Sequence, residues 1–151
     1  MLLASQKTPF FDIVIAHDAP AAVRYAAEEL QRYVERICLA FPAIHTDRQT
    51  PGPKSILVGD SARRAELFPG VSAGDLRRGR GESYVLRTRG GHLLVMGGSP
   101  RGTLYAVYDL LERFGVRWWM PWDQDVPRRT RLAIEDLNVR FDPPLIYRAT
   151  W

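Results

Sequence analysis

The feature that most constrains this chain is a short β-branched run that passes almost at once into a long amphipathic pattern. Phe11 to Ala16 is too short for a helix and reads as a buried strand. Beyond it Val23, Ala26, Ala27, Leu30, Val34, Ile37 and Phe41 recur at steps of three and four, with Arg24, Glu28, Glu29, Arg32, Glu35 and Arg36 on the other side. Asp18 is placed to cap the first free amides, Pro20 suits the first turn because its missing N–H has no partner there, and Pro42 ends the ladder. A short apolar piece, Ala43 to His45, leads through a polar loop broken by prolines to Ser55–Gly59, a second or third strand. A strand, a long helix and a returning strand make a βαβ-like unit.

From Phe68 to Glu82 there are four glycines and no sustained period, which predicts a mobile surface loop with one short helical turn before it. Tyr84–Thr88 and His92–Met96 flank Arg89-Gly90-Gly91 at hairpin spacing. Gly97-Gly98-Ser99-Pro100 closes the hairpin and opens a second helix, with Ser99 as cap and Pro100 at its first position. Leu104, Val107, Tyr108, Leu111 and Phe114 form its buried stripe, Gly115 its left-handed exit, and Asp109 and Arg113 a pair four residues apart. Val116–Trp119 leaves that helix, and Leu132–Ile134 is expected as a last, edge strand. The sum is an α/β fold of the α+β type, a mixed sheet with two main helices packed on it.

A chain of 151 residues with 46% hydrophobic and 25% charged residues has the length and composition of one domain. Its single cysteine, Cys38, excludes CxxC redox chemistry and an internal disulfide. No stretch approaches the roughly 18–20 apolar residues of a membrane span, and the opening residues have neither a basic head nor a long apolar run. Compartment is left open. Arginine supplies 19 of the 21 basic residues. They are scattered apart from Arg77, Arg78 and Arg80, and a Gly/Arg stretch with no interleaved aromatics lacks a stacking platform, so nucleic acid is not expected as a partner.

Chemistry-bearing constellations are sparse. His17, His45 and His92 stand alone, without metal-ligand spacing, so no metal and no cofactor is expected. No nucleophile elbow is present, and Cys38 lies near the buried side of the first helix. Gly97–Gly102 sits where free helix amides favour an anion, but it lacks the spacing of a phosphate or dinucleotide loop and reads as a tight capped turn, with Arg101 free to anchor a carboxylate or carbonyl. Asp123 and Asp125 are the carboxylates embedded in an aromatic run, and they read as solvated side chains. That run, Trp118-Trp119-Met120-Pro121-Trp122, holds three of the four tryptophans. Alternation sends one of Trp118 and Trp119 to the core. The other, with Trp122, is left to pack on a neighbouring domain, to join the core, or to stack on carbohydrate.

The pieces Ile13–Ile37, Ile56–Gly59, Glu82–Trp122, Val126-Pro127 and Pro143–Trp151 together resemble the N-terminal accessory domain of large glycoside hydrolases. Family 67 α-glucuronidases and related bacterial proteins are the nearest in pattern, with family 20 β-hexosaminidases further off. The Gly97–Trp122 block is the most specific part. The resemblance implies a zincin-like sandwich without zinc, residues 1–142, that packs on a following (β/α)₈ catalytic barrel, with residues 143–151 as linker and barrel start. No catalytic residue of those families maps onto this chain. Such domains usually have glycine at the exit of the first helix, where Cys38-Leu39-Ala40 stands here. The function this implies is a non-catalytic domain that supports or flanks the substrate cleft of that barrel. Trp119, Trp122, Trp118 and Arg101 are the contact residues, and the domain on its own is expected to self-associate. A free-standing carbohydrate-binding module that uses Trp119 and Trp122 is the alternative, and nucleic-acid binding through Arg77, Arg78 and Arg80 ranks last.

Overall fold

The computed structural model describes residues 1–78, 81–120 and 122–143, and the expected strand from Leu145 to Trp151 lies outside them. The chain runs β1 (Leu2–Ser5), β2 (Thr8–Pro9), β3 (Asp12–Ile15), α1 (Ala21–Cys38), β4 (Ile44–Thr46), β5 (Ser55–Val58), α2 (Ala62–Leu67) and α3 (Ala73–Arg78). It continues through β6 (Tyr84–Arg89), β7 (His92–Gly97), α4 (Pro100–Arg113), β8 (Arg117–Met120), β9 (Asp123–Asp125), β10 (Arg131–Ala133) and β11 (Asn138–Phe141). A six-stranded mixed sheet in the order β11-β6-β7-β5-β3-β4 forms the centre. β4, β3, β5 and β7 are parallel, and the β6–β7 hairpin reverses direction through Gly90 and Gly91, both at positive φ.

Central strands buried on both faces read as continuous apolar runs rather than alternating ones. Ile13, Ile56, Leu93 and Val95 point to the side covered by α1 and α4, while Val14, Leu57, Leu94 and Met96 point to the other. That second side is closed by Phe68, Val71, Ala73 and Leu76, all buried. The expected mobile loop from Phe68 to Glu82 is therefore corrected over its described part. Its four apolar side chains are too far apart to form a period, yet each inserts into the sheet, and α3 is the result.

Two other expectations change at the chain's ends. The first ten residues, to which the sequence pattern assigns no element, form β1 and β2, which join β10 in a separate three-stranded sheet of order β10-β1-β2. β10 is an edge strand as expected, but it is not the last. β11 follows it and pairs with β6, Phe141 stacking on Tyr84 at 5.1 Å between ring centroids. Both strands are stabilised by partners distant in sequence, which local pattern does not reveal.

Helix α1 departs from expectation at both termini. Pro20 itself is the N-cap and no side chain caps the helix, so Asp18 does not have that role. The helix stops at Cys38 because Leu39 turns left-handed at φ 56°, its N–H donating to the Glu35 carbonyl at 2.8 Å. Pro42 comes too late to end it, and Phe41, expected in the buried stripe, stands in solvent. Glu29, assigned to the polar side, is only 4% exposed. Tyr33 is buried beside it, because α4 lies along that flank and widens the covered arc.

Helix α4 begins as expected, Ser99 Oγ accepting the Gly102 N–H at 3.1 Å and Pro100 occupying the first turn. The glycines around it have a packing role. A Cβ on Gly97 would lie 2.2 Å from the Gly102 carbonyl carbon, and one on Gly98 would lie 2.6 Å from the Leu76 carbonyl carbon. Strand β7, the start of α4 and the end of α3 meet backbone to backbone there. Gly97→Ala is accordingly expected to cost about 3 kcal/mol or more in urea unfolding, since only backbone can give way. Leu39→Gly should instead raise stability by about 1 kcal/mol, because an exposed side chain in the left-handed region is the costly choice.

Candidate functional site

The two most exposed aromatics among the described residues, Trp119 and Trp122, belong to the β8–β9 hairpin, and what holds that hairpin is a polar network on its inner side. Trp118 turns inward and meets Tyr33 of α1 and Tyr108 of α4 edge-on, with centroids 5.5 and 5.1 Å apart. Its Nε1–H donates to Tyr33 Oη at 2.9 Å, and the Tyr33 hydroxyl donates onward to Gln124 Oε1 at 2.6 Å. The Arg36 guanidinium reaches the same oxygen at 2.6 Å while lying 5.1 Å from the Tyr33 ring centroid. One step further in, Tyr108 Oη donates to the buried Glu29, whose other oxygen takes the Arg32 guanidinium at 2.6 Å. Burial, and then the Glu29 charge, push the Tyr108 phenol well above its ordinary range, so it stays a donor.

With its inner side fixed, the hairpin turns the rest outward. Trp119 is 69% exposed, Met120 54% and Trp122 81%. Trp118 pairs with Gln124 and Met120 with Asp123, so Trp119 is the extra residue of a bulge. Alternation alone foresees one of Trp118 and Trp119 inside, and it is Trp118. It does not foresee Met120 joining Trp119 on the wet side, because the bulge resets the phase by one residue. Asp123 and Asp125 flank Gln124 on β9 and are exposed. Three large apolar side chains exposed on one hairpin of a small domain point to a contact surface.

The other sequence-selected residues are not gathered here. Arg101 is exposed in the first turn of α4 and faces Glu82 at 3.5 Å, the carboxylate anchor expected of it. Arg78 pairs with Asp75 within α3 at 3.5 Å, and Arg80 lies outside the described residues. The histidines are dispersed. His17 Nδ1 is 3.5 Å from Asp47, His45 Nε2 is 3.7 Å from Asp12, and His92 Nδ1 accepts the Ser55 N–H at 3.2 Å. Burial, with Arg63 nearby, lowers the His92 pKa and keeps the ring neutral for that role. Among the described residues no group of three or more His, Cys, Asp or Glu side chains converges as for a metal. Cys38 is buried, its thiol pushed up by desolvation and donating to the Val34 carbonyl.

The described residues thus form a mixed α/β sandwich with a pinned, tryptophan-tipped hairpin. The chain belongs to the family described as the glycosyl hydrolase family 67 N-terminus, whose model matches residues 3–110. Among solved structures it is similar to a family GH115 4-O-methyl-α-glucuronidase with specificity for decorated arabinogalactans. That match has a TM-score of 0.72 at 22% identity and covers 97% of this chain and 19% of the other, so this chain spans about a fifth of that enzyme's length. A GH138 enzyme targeting pectin rhamnogalacturonan II overlaps at a TM-score of 0.46 and 14% identity, over 76% of this chain and 11% of its own. No curated protein matches.

Two outcomes follow from the geometry. Tyr33→Phe leaves the Trp118 Nε1–H without its acceptor and is expected to cost about 1–3 kcal/mol in urea unfolding followed by tryptophan fluorescence. The partial burial of Asp47 alone would raise its pKa, but the Ala62 and His17 N–H groups and the His17 ring outweigh this and hold the carboxyl below its ordinary range. A depressed carboxyl stabilises fully above its unfolded pKa, about 3.9. That contribution is lost as pH falls through the folded value, so thermal unfolding of Asp47→Asn should show a shallower fall in stability below about pH 4 than the parent chain.

Proposed function

We propose that this domain is the non-catalytic N-terminal part of a glucuronidase-like glycoside hydrolase, and that the Trp119, Met120 and Trp122 face of the β8–β9 hairpin is where it meets a following catalytic domain. The observation that carries the reading is the pairing of a rigid inner side with a large apolar outer side. Three big side chains in solvent are a cost the chain has no folding reason to bear, and a partner surface converts them into burial at roughly 25 cal/mol per Å². Membership of the family 67 N-terminal domains and the small share of the similar glucuronidase that this chain spans both favour a larger protein around it. Three of the 17 carboxylates are tied into the fold. Glu29 is committed to Tyr108 and Arg32, Asp109 to Arg113, and Asp47 to backbone amides. Arg101 is occupied by Glu82 and is not part of the proposed contact face.

The 151-residue chain alone is expected to leave aryl α-glucuronides and glucuronoxylan fragments intact. It should also self-associate at high concentration in sedimentation experiments, and Trp119→Ser with Trp122→Ser should abolish that association while changing the urea midpoint little. Turnover of a glycoside by this chain would overturn the reading. Saturable quenching of tryptophan fluorescence by neutral xylo- or hexosamine-oligosaccharides, lost in the double variant, would favour a carbohydrate-binding module in its place.

A further inference from the structure

A second concave feature lies at the opposite end of α1 from its proline cap. The exit of α1, the β1–β2 turn and the segment before β10 enclose a cleft of about 350 Å³, whose walls include Lys7, Arg36, Leu39, Arg128 and Arg129. That volume falls at the small end of the range for small-molecule sites, about 300–1,000 Å³. Ile37 and Cys38 form its apolar floor and Leu39 its exposed lip. Among the described residues no carboxylate lines it.

The charge exceeds what the fold itself calls for. A helix C-terminus presents roughly half a negative charge. Four cations surround this one, and Arg36 alone is taken up, by Gln124. Lys7, Arg128 and Arg129 have no ion-pair partner among the described residues. The backbone adds an independent sign. Among the described residues the non-glycine positions at positive φ are Gln6 at 50°, Lys7 at 70° and Leu39 at 56°, and all three line this cleft. A two-residue hairpin turn with both φ positive is least costly as Asn-Gly. Here the turn carries Gln-Lys, and a helix exit that favours glycine carries leucine. Strain of this kind gathers where a side chain is needed for contact.

We propose that this cleft binds an acidic sugar residue, its carboxylate held by Lys7 and Arg128 and a C–H face of the ring lying on Leu39. The guanidinium fork matches a carboxylate bidentately, and an apolar lip beside a cationic wall suits a ring that is hydrophobic on one side and charged at one corner. The choice of a sugar among organic anions rests on the glycoside-hydrolase reading above, whereas the anion site itself does not. The cleft would hold an acidic polysaccharide on the accessory domain.

Nuclear magnetic resonance titration of the ¹⁵N-labelled chain with glucuronic acid, glucose and inorganic phosphate, each at low salt, tests this. Glucuronate is expected to shift the Gln6, Leu39 and Thr130 amides saturably and to bind at least tenfold more tightly than either glucose or phosphate. Lys7→Ala and Arg128→Ala should each weaken it several-fold with an unchanged urea midpoint, and added salt should weaken it in the unaltered chain. Binding that is indifferent to salt and to both substitutions overturns the proposal. Equal or tighter binding of phosphate overturns the sugar and leaves the anion site. Absence of any shift at these amides removes the site and leaves the accessory role standing, since that role is tested by turnover and by the tryptophan face.

Discussion

Backbone contact at Gly97, Gly98 and Gly102 is the constraint on which the rest of the molecule depends. Where β7 runs into α4 there is no room for a Cβ, so the helix starts against the strand rather than a side chain's width above it. That depth lets Ala106, Val107, Leu110 and Leu111 reach the sheet and lets α1 pack alongside. The groove between the two helices then receives Trp118. On the opposite face Gly98 admits the end of α3, so one short segment sets the spacing of both layers. The Gly-Gly-Ser-Pro-Arg-Gly run looks like an anion loop in sequence, and its geometry shows that the glycines serve packing.

The helix layer carries a third layer made of only two short strands, and polar contacts do most of the holding. Tyr33 is central to it, since one hydroxyl accepts from Trp118 and donates to Gln124, and its ring lies within 5.2 Å of two guanidinium groups. Buried networks of this sort are strong only when every member is satisfied. The structure meets that condition on the inner side of the hairpin, and all of the apolar excess is displaced to the outer side.

Legibility in the sequence followed the range of the interactions. Strands β3 and β5, the β6–β7 hairpin, and the Ser99-Pro100 start and Gly115 exit of α4 depend on residues close in sequence, and pattern located them. The end of α1 was misplaced because Leu39 adopts a conformation for which leucine gives no sign. Glu29 read as polar surface because its burial comes from Tyr108, far along the chain. β1 and β11 were invisible because each is completed by a distant partner, β2 because it is two residues long and pairs with β1 alone, and α3 was hidden by glycines that suggest looseness. At the candidate face, composition singled out the tryptophans, and alternation required one of Trp118 and Trp119 to face inward without saying which. The bulge that exposes Met120 had no local signature. The basic cleft was beyond reach, since Lys7, Arg36 and Arg128 meet only in three dimensions.

The bulge at Trp119 also bears on how the hairpin tolerates change in length. One residue more or fewer in β8 exchanges its inward and outward sets, which would send Trp118 to solvent and leave Tyr33 facing the wrong neighbour. Single-codon insertions and deletions, ordinarily absorbed where loops meet water, are therefore excluded from this stretch. Among descendants of this gene its residue count is expected to drift in steps of two or not at all.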